Sequence, residues 1–428
     1  MLFFYNLIFQ LFIPFIILRL YWKSRRNPAY RERWRERFAY YKNVPYQHSI
    51  WIHAVSLGES IAAIPLISAL KKKYPNENIV VTTMTPTGSE KLRQTFGKEI
   101  IQVYVSYDYS GAVKRFLRHF NPNLLIIMEK ELWPNLLHYS AQRKIPILLA
   151  NAQLSLRSFH RYQLIESFAK KILACISTVA AQSTADGERF LALGLRPEQL
   201  LVTGNIKFDL TIADEVKEEA KNLVESLGIA KNRPIWIAAS THEGEEKKVL
   251  AAMREILKIL PETLLILVPR HPERFGQVRD LCLEQGFKVV SYSQNQPCGA
   301  AIQILLGDVI GKLLVFYSLA QAAFVGGSLV SIGGHNLLEP AALGVPILIG
   351  PNLANCKEIS ALFFADGAAI LVQDESELAE KVLQILQDKE LHDLLAQKAV
   401  AILEQNKGVL DKLMFWVEKN YVAKKLVS

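Results

Sequence analysis

The chain has 428 residues, of which 50% are hydrophobic and 21% are charged. This composition is ordinary for a globular protein and excludes a disordered, collagen-like or coiled-coil chain. At about 150 residues per domain, the length favours two large domains. The four cysteines form no CxxC pair and the nine histidines form no HExxH pattern. The sequence therefore predicts a reducing compartment and no metal site.

The positive charge is concentrated near the N-terminus. The formal net charge is +9, and the segment from Arg19 to Lys42, with nine basic and two acidic residues, carries +7 of it. A nucleic-acid-binding protein usually spreads basic and aromatic residues over a domain face. The sequence therefore predicts no nucleic-acid partner.

An uncharged apolar stretch, Leu2 to Leu18, precedes the basic segment. Its length lies at the lower limit for a membrane-spanning helix, about 17 residues. Signal peptides place their charge before the apolar run, so cleavage is not expected. We predict an anchor helix over residues 1–22, basic contacts with anionic lipid, and the bulk of the chain on the cytoplasmic side. A buried core helix is the alternative, and the sequence leaves open whether the helix spans the bilayer or lies in one leaflet.

Beyond the basic segment, short apolar runs alternate with segments of helical periodicity. Most runs lack polar alternation, as expected of strands buried on both faces of a parallel sheet. The fold class is therefore α/β, with two Rossmann-like doubly wound domains over residues 23–210 and 211–428. The last helix can pack back on the first domain. Ligands of such domains bind beyond the carboxyl ends of the strands, here in a cleft between the domains. The predicted strands are 50–54, 79–84, 101–105, 124–128, 145–150, 176–181 and 200–203, then 235–239, 264–268, 288–292, 302–306, 323–325, 346–349 and 369–372.

Two motifs of the first half carry single charged residues after predicted strands. His53–Ser60 opens a helix and places Glu59 in its first turn. A carboxylate there either accepts a proton from an attacking hydroxyl or only caps the helix. Gly204–Asp209 carries Lys207 after the last strand of this half. Its ammonium group suits either a developing negative charge or an interdomain salt bridge.

A third motif, Met128–Asn135, places two carboxylates after a predicted strand. Glu129 and Glu131 are two positions apart and cannot share one helix face. On an extended or turning segment, one can point into the cleft and the other outward. Simple enrichment of acids at a helix N-terminus is the alternative.

The second half carries a cation and a glycine-rich loop at strand ends. In Pro269–Phe275, a proline ends a strand and Arg270 emerges with a fork suited to phosphate or carboxylate. The loop Gly326–Pro340 has backbone N–H groups for an anion and Glu339 for sugar hydroxyls, although a structural turn is the alternative. Neither GxGxxG nor a Walker loop is present, so hydride transfer and ATP hydrolysis lose support.

Another polar segment, Ser240–Glu246, follows the first strand of the second half. It either lines the cleft or forms a capping box ahead of a helix, and the capping role is the prediction for Glu245. The roles of Ser240 and Thr241 stay open. The chain carries no Asp-x-Asp pair at these strand ends, so a divalent metal clamp on a nucleotide is not indicated.

Together, these motifs resemble the 3-deoxy-D-manno-octulosonic acid (Kdo) transferase family of lipopolysaccharide assembly. The resemblance runs from the basic N-terminal segment, with Pro28–Trp34, almost to the C-terminus. Several long stretches in the right order make chance agreement improbable. The most specific ones are Ser56–Glu59, Thr82–Gly88, Met128–Asn135, Gly204–Asp209, Val268–Phe275 and Gly326–Glu339.

The resemblance implies a GT-B architecture and transfer of Kdo from CMP-Kdo to a hydroxyl of a lipid A precursor, lipid IVA. It places the enzyme on the bacterial inner membrane and implies neither a cofactor nor a metal at the transfer site. By matching motifs, Glu59 is the general base, and Glu129 and Lys207 support the transition state, in a first domain that binds the acceptor. The matching CMP-Kdo contacts in the second domain are Pro269, Arg270, Ile310, Gly311, Lys312, Asn336, Leu337, Leu338 and Glu339.

One position departs from the family pattern, because many relatives carry an acid where this chain has Lys312. A side-chain contact there would change, whereas a backbone contact could survive. Two other functions are also open to the sequence. One is a GT-B transferase that uses a UDP-sugar on another membrane lipid, which competition between CMP and UDP would separate. The other is a membrane-tethered binding protein without turnover, and the presence of Glu59, Glu129 and Lys207 in their motifs argues against it.

Overall fold

The computed structural model describes residues 2–26, 28–42 and 45–427. The outer limits of the predicted domains, residues 1 and 428, lie outside the described residues. The chain forms two compact units, Met1–Asp209 with Lys407–Ser428, and Leu210–Asn406. Each unit is built on its own sheet of seven strands.

The sheet of the first unit is parallel throughout, in the order β3-β2-β1-β4-β5-β6-β7. Most of its strands are runs of Ile, Leu and Val buried along their whole length, because helices cover both faces. The strand order reverses between β1 and β4, which is where a doubly wound sheet opens a crevice for ligands. The strands are β1 (Ser49–His53), β2 (Ile79–Thr83), β3 (Ile101–Tyr104), β4 (Pro122–Met128), β5 (Ile147–Ala152), β6 (Thr178–Ala181) and β7 (Leu200–Val202).

In the first unit, an N-terminal helix precedes the sheet, one helix follows each of β1 to β4 and β6, and two helices follow β5. Among the described residues, that N-terminal helix is the one that is long and apolar enough to cross a membrane. The helices are α1 (Leu2–Arg26), α2 (Leu57–Lys73), α3 (Pro86–Phe96), α4 (Ser110–Phe120), α5 (Pro134–Gln142), α6 (Leu156–Gln163), α7 (Glu166–Leu173) and α8 (Thr184–Ala192).

The sheet of the second unit is also parallel, in the order β10-β11-β9-β8-β12-β13-β14. Its strands are β8 (Ile235–Thr241), β9 (Leu264–Pro269), β10 (Val289–Ser291), β11 (Ile304–Leu306), β12 (Ala322–Val325), β13 (Ile347–Ile349) and β14 (Ala369–Leu371). The helices are α9 (Asp214–Ser226), α10 (Glu245–Ile259), α11 (Phe275–Glu284), α12 (Leu313–Tyr317), α13 (Leu338–Ala342), α14 (Lys357–Ala365), α15 (Glu375–Gln387) and α16 (Lys389–Asn406).

The predicted fold class is confirmed, since every apolar run named above contains or overlaps a strand of one of two parallel sheets. Strand ends differ from the predicted ends by at most two residues. The run at 145–150 illustrates why, because β5 starts at Ile147 and continues through a polar residue, Asn151, to Ala152. An apolar pattern alone does not include that polar position.

The last helix, α17 (Val409–Val427), returns to the first unit. Val409, Leu413 and Val417 are buried in the core that α2 forms with the sheet. Asp209 is the last residue of the first of the two segments that make up this unit. Its carboxylate accepts hydrogen bonds from the backbone N–H groups of Gly408, at 2.6 Å, and Leu410. A residue some two hundred positions away thus serves as the N-terminal cap of α17.

We expect Asp209→Ala to lower the free energy of unfolding by about 1.5–3 kcal/mol, because two backbone N–H groups lose a charged acceptor. The measurement is urea denaturation followed by tryptophan fluorescence. Asp280→Ala removes an exposed carboxylate of α11 and serves as the matched control. Equal midpoints for the two variants would show that Asp209 does not hold α17 in place.

Candidate functional site

A buried carboxylate, Glu59, lies beyond the carboxyl end of β1, where the strand order reverses between β1 and β4. It lies in the first turn of α2 with 2% of its surface exposed. Its Oε2 atom accepts hydrogen bonds from the backbone N–H groups of Val55, at 2.5 Å, and Ser56, at 3.3 Å, and the Ser56 hydroxyl accepts from the backbone N–H of Glu59. The structure shows no hydrogen bond from a described residue to the second oxygen, Oε1. Glu59 is therefore a helix cap that keeps one oxygen available.

Burial, together with the negative charges of Glu131 and Glu129, raises the pKa of Glu59 to about 7. The backbone N–H groups of Val55 and Ser56 act in the opposite direction because they stabilise the ionised form. A carboxyl group that titrates near neutral pH can both accept and release a proton under ordinary conditions. The sequence left two roles open for Glu59, helix cap and proton acceptor, and the geometry allows it to fill both.

Glu129 leaves the end of β4 with a left-handed backbone, at φ 61°. Two backbone hydrogen bonds hold this conformation in place. The Glu129 N–H donates to the Ala150 carbonyl of β5 at 2.9 Å, and the N–H of Gln153, just after β5, donates to the Glu129 carbonyl at 3.2 Å. A non-glycine residue in this region costs of the order of 1 kcal/mol and persists only where neighbours impose it. The turn is thus built into the sheet edge.

The second carboxylate of this motif, Glu131, is also close to Glu59. Both acids of the motif contribute to the raised pKa of Glu59, and Lys130 between them is exposed. The indole N–H of Trp133 donates to Glu131 Oε2 at 2.7 Å. Burial raises the pKa of Glu131 as well. Sequence reasoning gave Glu131 no role, although its spacing from Glu129 on a turning segment was the available signal.

His53, at the end of β1, contacts Trp133, the residue that donates a hydrogen bond to Glu131. Its ring packs edge-on against Trp133, with centroids 4.8 Å apart, and its Nδ1 lies 3.0 Å from the Thr82 hydroxyl. Complete burial lowers the pKa of His53 to about 3, so the ring is neutral at physiological pH. We infer that His53 fixes the position of the indole that in turn holds Glu131.

Lys207 lies on the exposed side of a 3₁₀ turn, Ile206–Asp209, after β7. Side-chain amides fix this turn: Asn151 accepts from the Ile206 N–H at 3.0 Å, and Asn205 accepts from the Lys207 N–H at 3.1 Å. Within the described part of the chain, the Lys207 ammonium group forms no ion pair. The turn therefore presents a cation at the carboxyl edge of the sheet.

In the second unit, Glu245 organises the glycine-rich loop. Its fully buried carboxylate accepts hydrogen bonds from the backbone N–H groups of Gly327, Ser328 and Leu329, at 2.7, 3.0 and 2.9 Å, and from His242 at 3.2 Å. The predicted capping box is wrong, because the N-cap of α10 is Gly244, which offers no side chain. Glu245 instead holds together two loops that follow β8 and β12.

Gly326 shows why this loop needs glycine. A Cβ atom at that position would lie 2.7 Å from the Ser240 carbonyl oxygen and 2.8 Å from the Glu245 carboxylate. The Ser240 carbonyl is fixed because it belongs to the backbone, and the Glu245 carboxylate is fixed by its four hydrogen bonds. A larger residue would therefore displace the loop rather than push aside a flexible side chain.

Arg270 emerges from the end of β9 with an exposed side chain, and its backbone N–H donates to the Thr241 carbonyl at 3.0 Å. A cluster of histidines, which sequence reasoning missed, lies beside it. The Nε2 atoms of His242 and His335 are 2.7 Å apart, and the ring of His271 is 5.2 Å from that of His242. Burial, then the neighbouring His242 and Arg270, lower the pKa of His335 to about 4. These residues are far apart in sequence, so spacing gave no signal for the cluster.

The predicted substrate contacts all follow strands of the second sheet, at its carboxyl edge. Ile310 is 80% exposed, and Gly311 has a positive φ of 87°. Lys312 forms an ion pair with Glu219 of α9, so its ammonium group is already engaged. The structure brings these three residues to the loop after β11, and their contacts with a substrate stay a prediction.

The other predicted contacts follow β9 and β12. Pro269 is buried in β9, and Leu337 and Leu338 are buried in the core, so these three offer a ligand only their backbones. Asn336 donates from Nδ2 to Glu339 Oε1 at 3.2 Å and accepts the N–H of Leu338 at 3.1 Å. Burial raises the pKa of Glu339, while Asn336 and Arg270 act against that rise. Among the predicted contacts that follow β9 and β12, the polar side chains are thus Arg270, Asn336 and Glu339.

Comparison with known proteins identifies the family. The chain is 40% identical over 417 residues to the 3-deoxy-D-manno-octulosonic acid transferase of Haemophilus influenzae, covering 96% of this chain and 97% of that protein. The chain belongs to the Kdo transferase family. The family model for the N-terminal part, described as 3-deoxy-D-manno-octulosonic-acid transferase (kdotransferase), matches residues 32–210. The Bordetella pertussis transferase is 32% identical over 387 residues, covering 87% of this chain and 88% of that protein.

Solved structures of more distant proteins share the fold. A UDP-N-acetylglucosamine 2-epimerase of Neisseria meningitidis has a TM-score of 0.56 at 16% identity, covering 84% of this chain and 99% of that protein. A putative epimerase of this kind from Listeria monocytogenes has a TM-score of 0.57 at 16% identity, covering 88% and 97%. At this identity the likeness concerns architecture alone, and it agrees with two Rossmann-like units in a glycosyltransferase of the Kdo transferase family.

We expect Glu59→Gln to keep the helix cap, since an amide oxygen can accept the same two N–H groups, and to alter the pH dependence of stability. The pKa of Glu59 is about 7 in the folded protein, above its unfolded value of about 4.3. The wild type therefore loses stability as the pH rises from about 4 to 7, by roughly 2–3 kcal/mol, and the variant does not. Urea midpoints at pH 5 and pH 8 measure the difference.

An exposed carboxylate, Glu99, supplies the control for this experiment. Glu99→Gln should show the same change between the two pH values as the wild type. The prediction fails if the difference in urea midpoint between Glu59→Gln and the wild type is the same at pH 5 and pH 8. That result would contradict a raised pKa at Glu59.

Proposed function

We propose that this protein transfers Kdo from CMP-Kdo to a hydroxyl of a lipid A precursor, lipid IVA, in lipopolysaccharide core assembly. Membership of the Kdo transferase family supports the reaction class. The observation that carries the assignment of roles is the buried carboxyl group of Glu59, which follows β1, has a pKa of about 7 and keeps one oxygen without a hydrogen bond from the described residues.

In the proposed mechanism, Glu59 takes the proton of the acceptor hydroxyl as the hydroxyl oxygen attacks the anomeric carbon of Kdo. The raised pKa suits this step, because a base that titrates near the working pH combines availability with proton affinity. Oε2 stays bound to the two backbone N–H groups, and Oε1 receives the proton. The nearby charges of Glu129 and Glu131 favour proton uptake, since the negative charge at Glu59 is lost in that step.

Glu129 and Lys207 are proposed to support the transition state. The strained backbone of Glu129 fixes the direction in which its carboxylate leaves the sheet edge. Lys207 supplies a positive charge from a turn that side-chain amides hold in place, so little reorganisation is needed as negative charge develops on the departing CMP. Both residues lie in the first unit, which we assign to the acceptor.

The second unit is proposed to bind CMP-Kdo. Arg270 offers a planar guanidinium fork to the phosphate or to the Kdo carboxylate. Glu339, paired with Asn336, is suited to sugar hydroxyl groups. The loop Ile310–Lys312 and the backbones of Pro269, Leu337 and Leu338 complete the predicted contacts. Because Lys312 pairs with Glu219, we expect this loop to contribute backbone groups.

A membrane location on the cytoplasmic face of the inner membrane fits this substrate pair, because the acceptor is an anionic amphiphile. Exposed apolar side chains of α1 and the basic residues that follow them support attachment to anionic lipid. CMP-Kdo is water-soluble and reaches the enzyme from the cytoplasm. No cofactor is proposed.

The central test is a transfer assay with the purified full-length protein in detergent, with CMP-Kdo generated in place and lipid IVA as acceptor. Products heavier by one or more Kdo units in the mass spectrum would establish the reaction and count the additions. Inhibition by CMP and not by UDP would separate this donor from a UDP-sugar. An absent product, beside an active reference transferase in the same mixture, would overturn the proposal.

We expect Glu59→Gln to reduce transfer at least 100-fold while leaving CMP affinity within about twofold of the wild type. In the wild type, transfer should increase as the pH rises through about 7, because the base must be ionised. Initial rates between pH 5.5 and 8.5 and calorimetric titration with CMP measure these effects. A Glu59→Gln enzyme with the wild-type rate would remove Glu59 from the base role.

We expect Arg270→Ala to weaken CMP-Kdo binding by about 10- to 100-fold, through loss of a charge-assisted contact. Arg279→Ala, an exposed arginine of α11, is the matched control and should bind like the wild type. Affinity is measured by the KM for CMP-Kdo and by titration with CMP. Equal affinities for the two variants would exclude Arg270 from the donor site.

A further inference from the structure

Three histidines lie together at the carboxyl edge of the second sheet. His242 follows β8, His271 follows β9, and His335 belongs to the glycine-rich loop after β12. These strands are neighbours in the order β9-β8-β12, so their ends bring the three rings to one place. The rings of His242 and His271 meet edge-on, with centroids 5.2 Å apart. None of the three histidines has a role in the mechanism proposed above.

The backbone N–H groups at the start of the glycine-rich loop are already occupied. Those of Gly327, Ser328 and Leu329 donate to the buried Glu245 carboxylate. These three groups are therefore not available to the phosphate of a ligand. A phosphate at this edge can instead be bound by side chains. The guanidinium group of Arg270 is exposed and forms no ion pair within the described part of the chain.

His242 and His335 form a pair with one proton between them. Their Nε2 atoms are 2.7 Å apart, and their ring planes differ by only 5°. Two nitrogen ligands of a tetrahedral zinc ion lie about 3.3 Å apart, so this contact is a hydrogen bond and not a shared metal ion. One Nε2 atom donates and the other accepts. The pair can therefore gain one proton, at an outer Nδ1 atom. It cannot gain a second, because two hydrogens do not fit between the Nε2 atoms.

Gly327 makes room for this pair. A Cβ atom there would lie 3.0 Å from Cδ2 of His335 and 3.4 Å from Cδ2 of His242, so both rings pack on bare backbone. The backbone of Gly327 is also left-handed, at φ 71°, a conformation that favours glycine. The loop that Glu245 holds in place thus fixes the position of both rings.

The groups that face the pair keep it neutral when no ligand is bound. Burial, together with the neighbouring side chains, lowers the pKa of His335 to about 4, and burial also lowers the pKa of His242. Among the described residues, the acid that acts on the pair is Glu246, whose carboxylate binds both terminal nitrogens of Arg274, at 2.7 and 3.1 Å. The neighbours that oppose protonation of one or both rings are Arg270, His271 and Arg274.

An anion bound at Arg270 would reverse this balance. It would offset the charge of the guanidinium group and place negative charge of its own beside the rings. Both changes favour a protonated imidazole. The protonated pair would in turn offer the anion a second cation. Binding of the anion and uptake of the proton would therefore strengthen each other by the same factor, as linkage requires.

We propose that His242 and His335 act as a single proton-binding group in the donor site and take up one proton when the phosphate of the nucleotide binds at Arg270. The charged pair and the arginine then hold the phosphate together. During transfer, the bond between the phosphate oxygen and the anomeric carbon of Kdo breaks, and its electron pair stays on that oxygen. The charged pair stabilises the negative charge that the phosphate gains. The identity of the nucleotide as CMP rests on the proposed function.

Proton uptake is measured by calorimetric titration of the full-length protein with CMP at pH 7.5, in buffers that differ in their enthalpy of ionisation. The slope of the binding enthalpy against the buffer enthalpy gives the number of protons taken up. We expect about 0.5–1 proton per CMP for the wild type and less than about 0.2 for His335→Gln, whose amide accepts a hydrogen bond but no proton. We also expect the variant to bind CMP about tenfold more weakly.

His242→Gln is the second variant, because loss of either ring should abolish the uptake. His160→Gln, at an exposed histidine of α6, is the matched control and should take up protons like the wild type. CMP binding to the wild type without proton uptake would overturn the proposal, and this result needs no variant. Undiminished uptake in both pair variants would do the same, since the proton would then go to another group.

The transfer assay separates this proposal from the proposed function. Transfer of Kdo by a protein that binds CMP without proton uptake removes this proposal alone. Proton uptake through the pair in a protein that transfers no Kdo removes only the proposed function. A protein that does not bind CMP at all contradicts both.

Discussion

In each unit, all seven strands run in the same direction, and this constraint determines where polar chemistry can lie. Helices cover both faces of each sheet, so the strands themselves are apolar and hold almost no functional group. The carboxyl ends of the strands all meet at one edge, where the loops leave the sheet. Glu59, Glu129 and Lys207 follow three different strands of the first unit and reach the same edge for this reason. Arg270 and Glu339 do so in the second unit.

A buried carboxylate follows the first strand of each sheet, and the two differ in how far they are satisfied. Glu245 accepts four backbone N–H groups, shared between both of its oxygens, and works as a fixed support for the glycine-rich loop. Glu59 accepts two, both on Oε2. Burial and the neighbouring acids raise the pKa of Glu59 to about 7, while its two backbone donors act against that rise. Burial raises the pKa of Glu245 as well, and four backbone donors act against that rise.

The sequence was sufficient for the two sheets because buried parallel strands are continuous apolar runs, and such runs are visible without any tertiary information. It also made Glu59, Lys207 and Arg270 candidates, since each lies within five residues after such a run. It was insufficient for Glu131, whose approach to Glu59 depends on the left-handed turn at Glu129. Contacts between distant segments were out of reach for the same reason. His242 and His335 meet only because β8 and β12 are neighbours in the sheet.

The return of α17 to the first unit has a consequence for the order in which the protein is completed during synthesis. Residues 210–406 leave the ribosome before α17 does, so the second unit can form its whole core while the first still lacks a helix. Until Val409 and Leu413 arrive, the core side of α2 lacks part of its packing. Because α2 carries Glu59, the surroundings of this buried carboxyl group are completed only when the nascent chain is nearly finished.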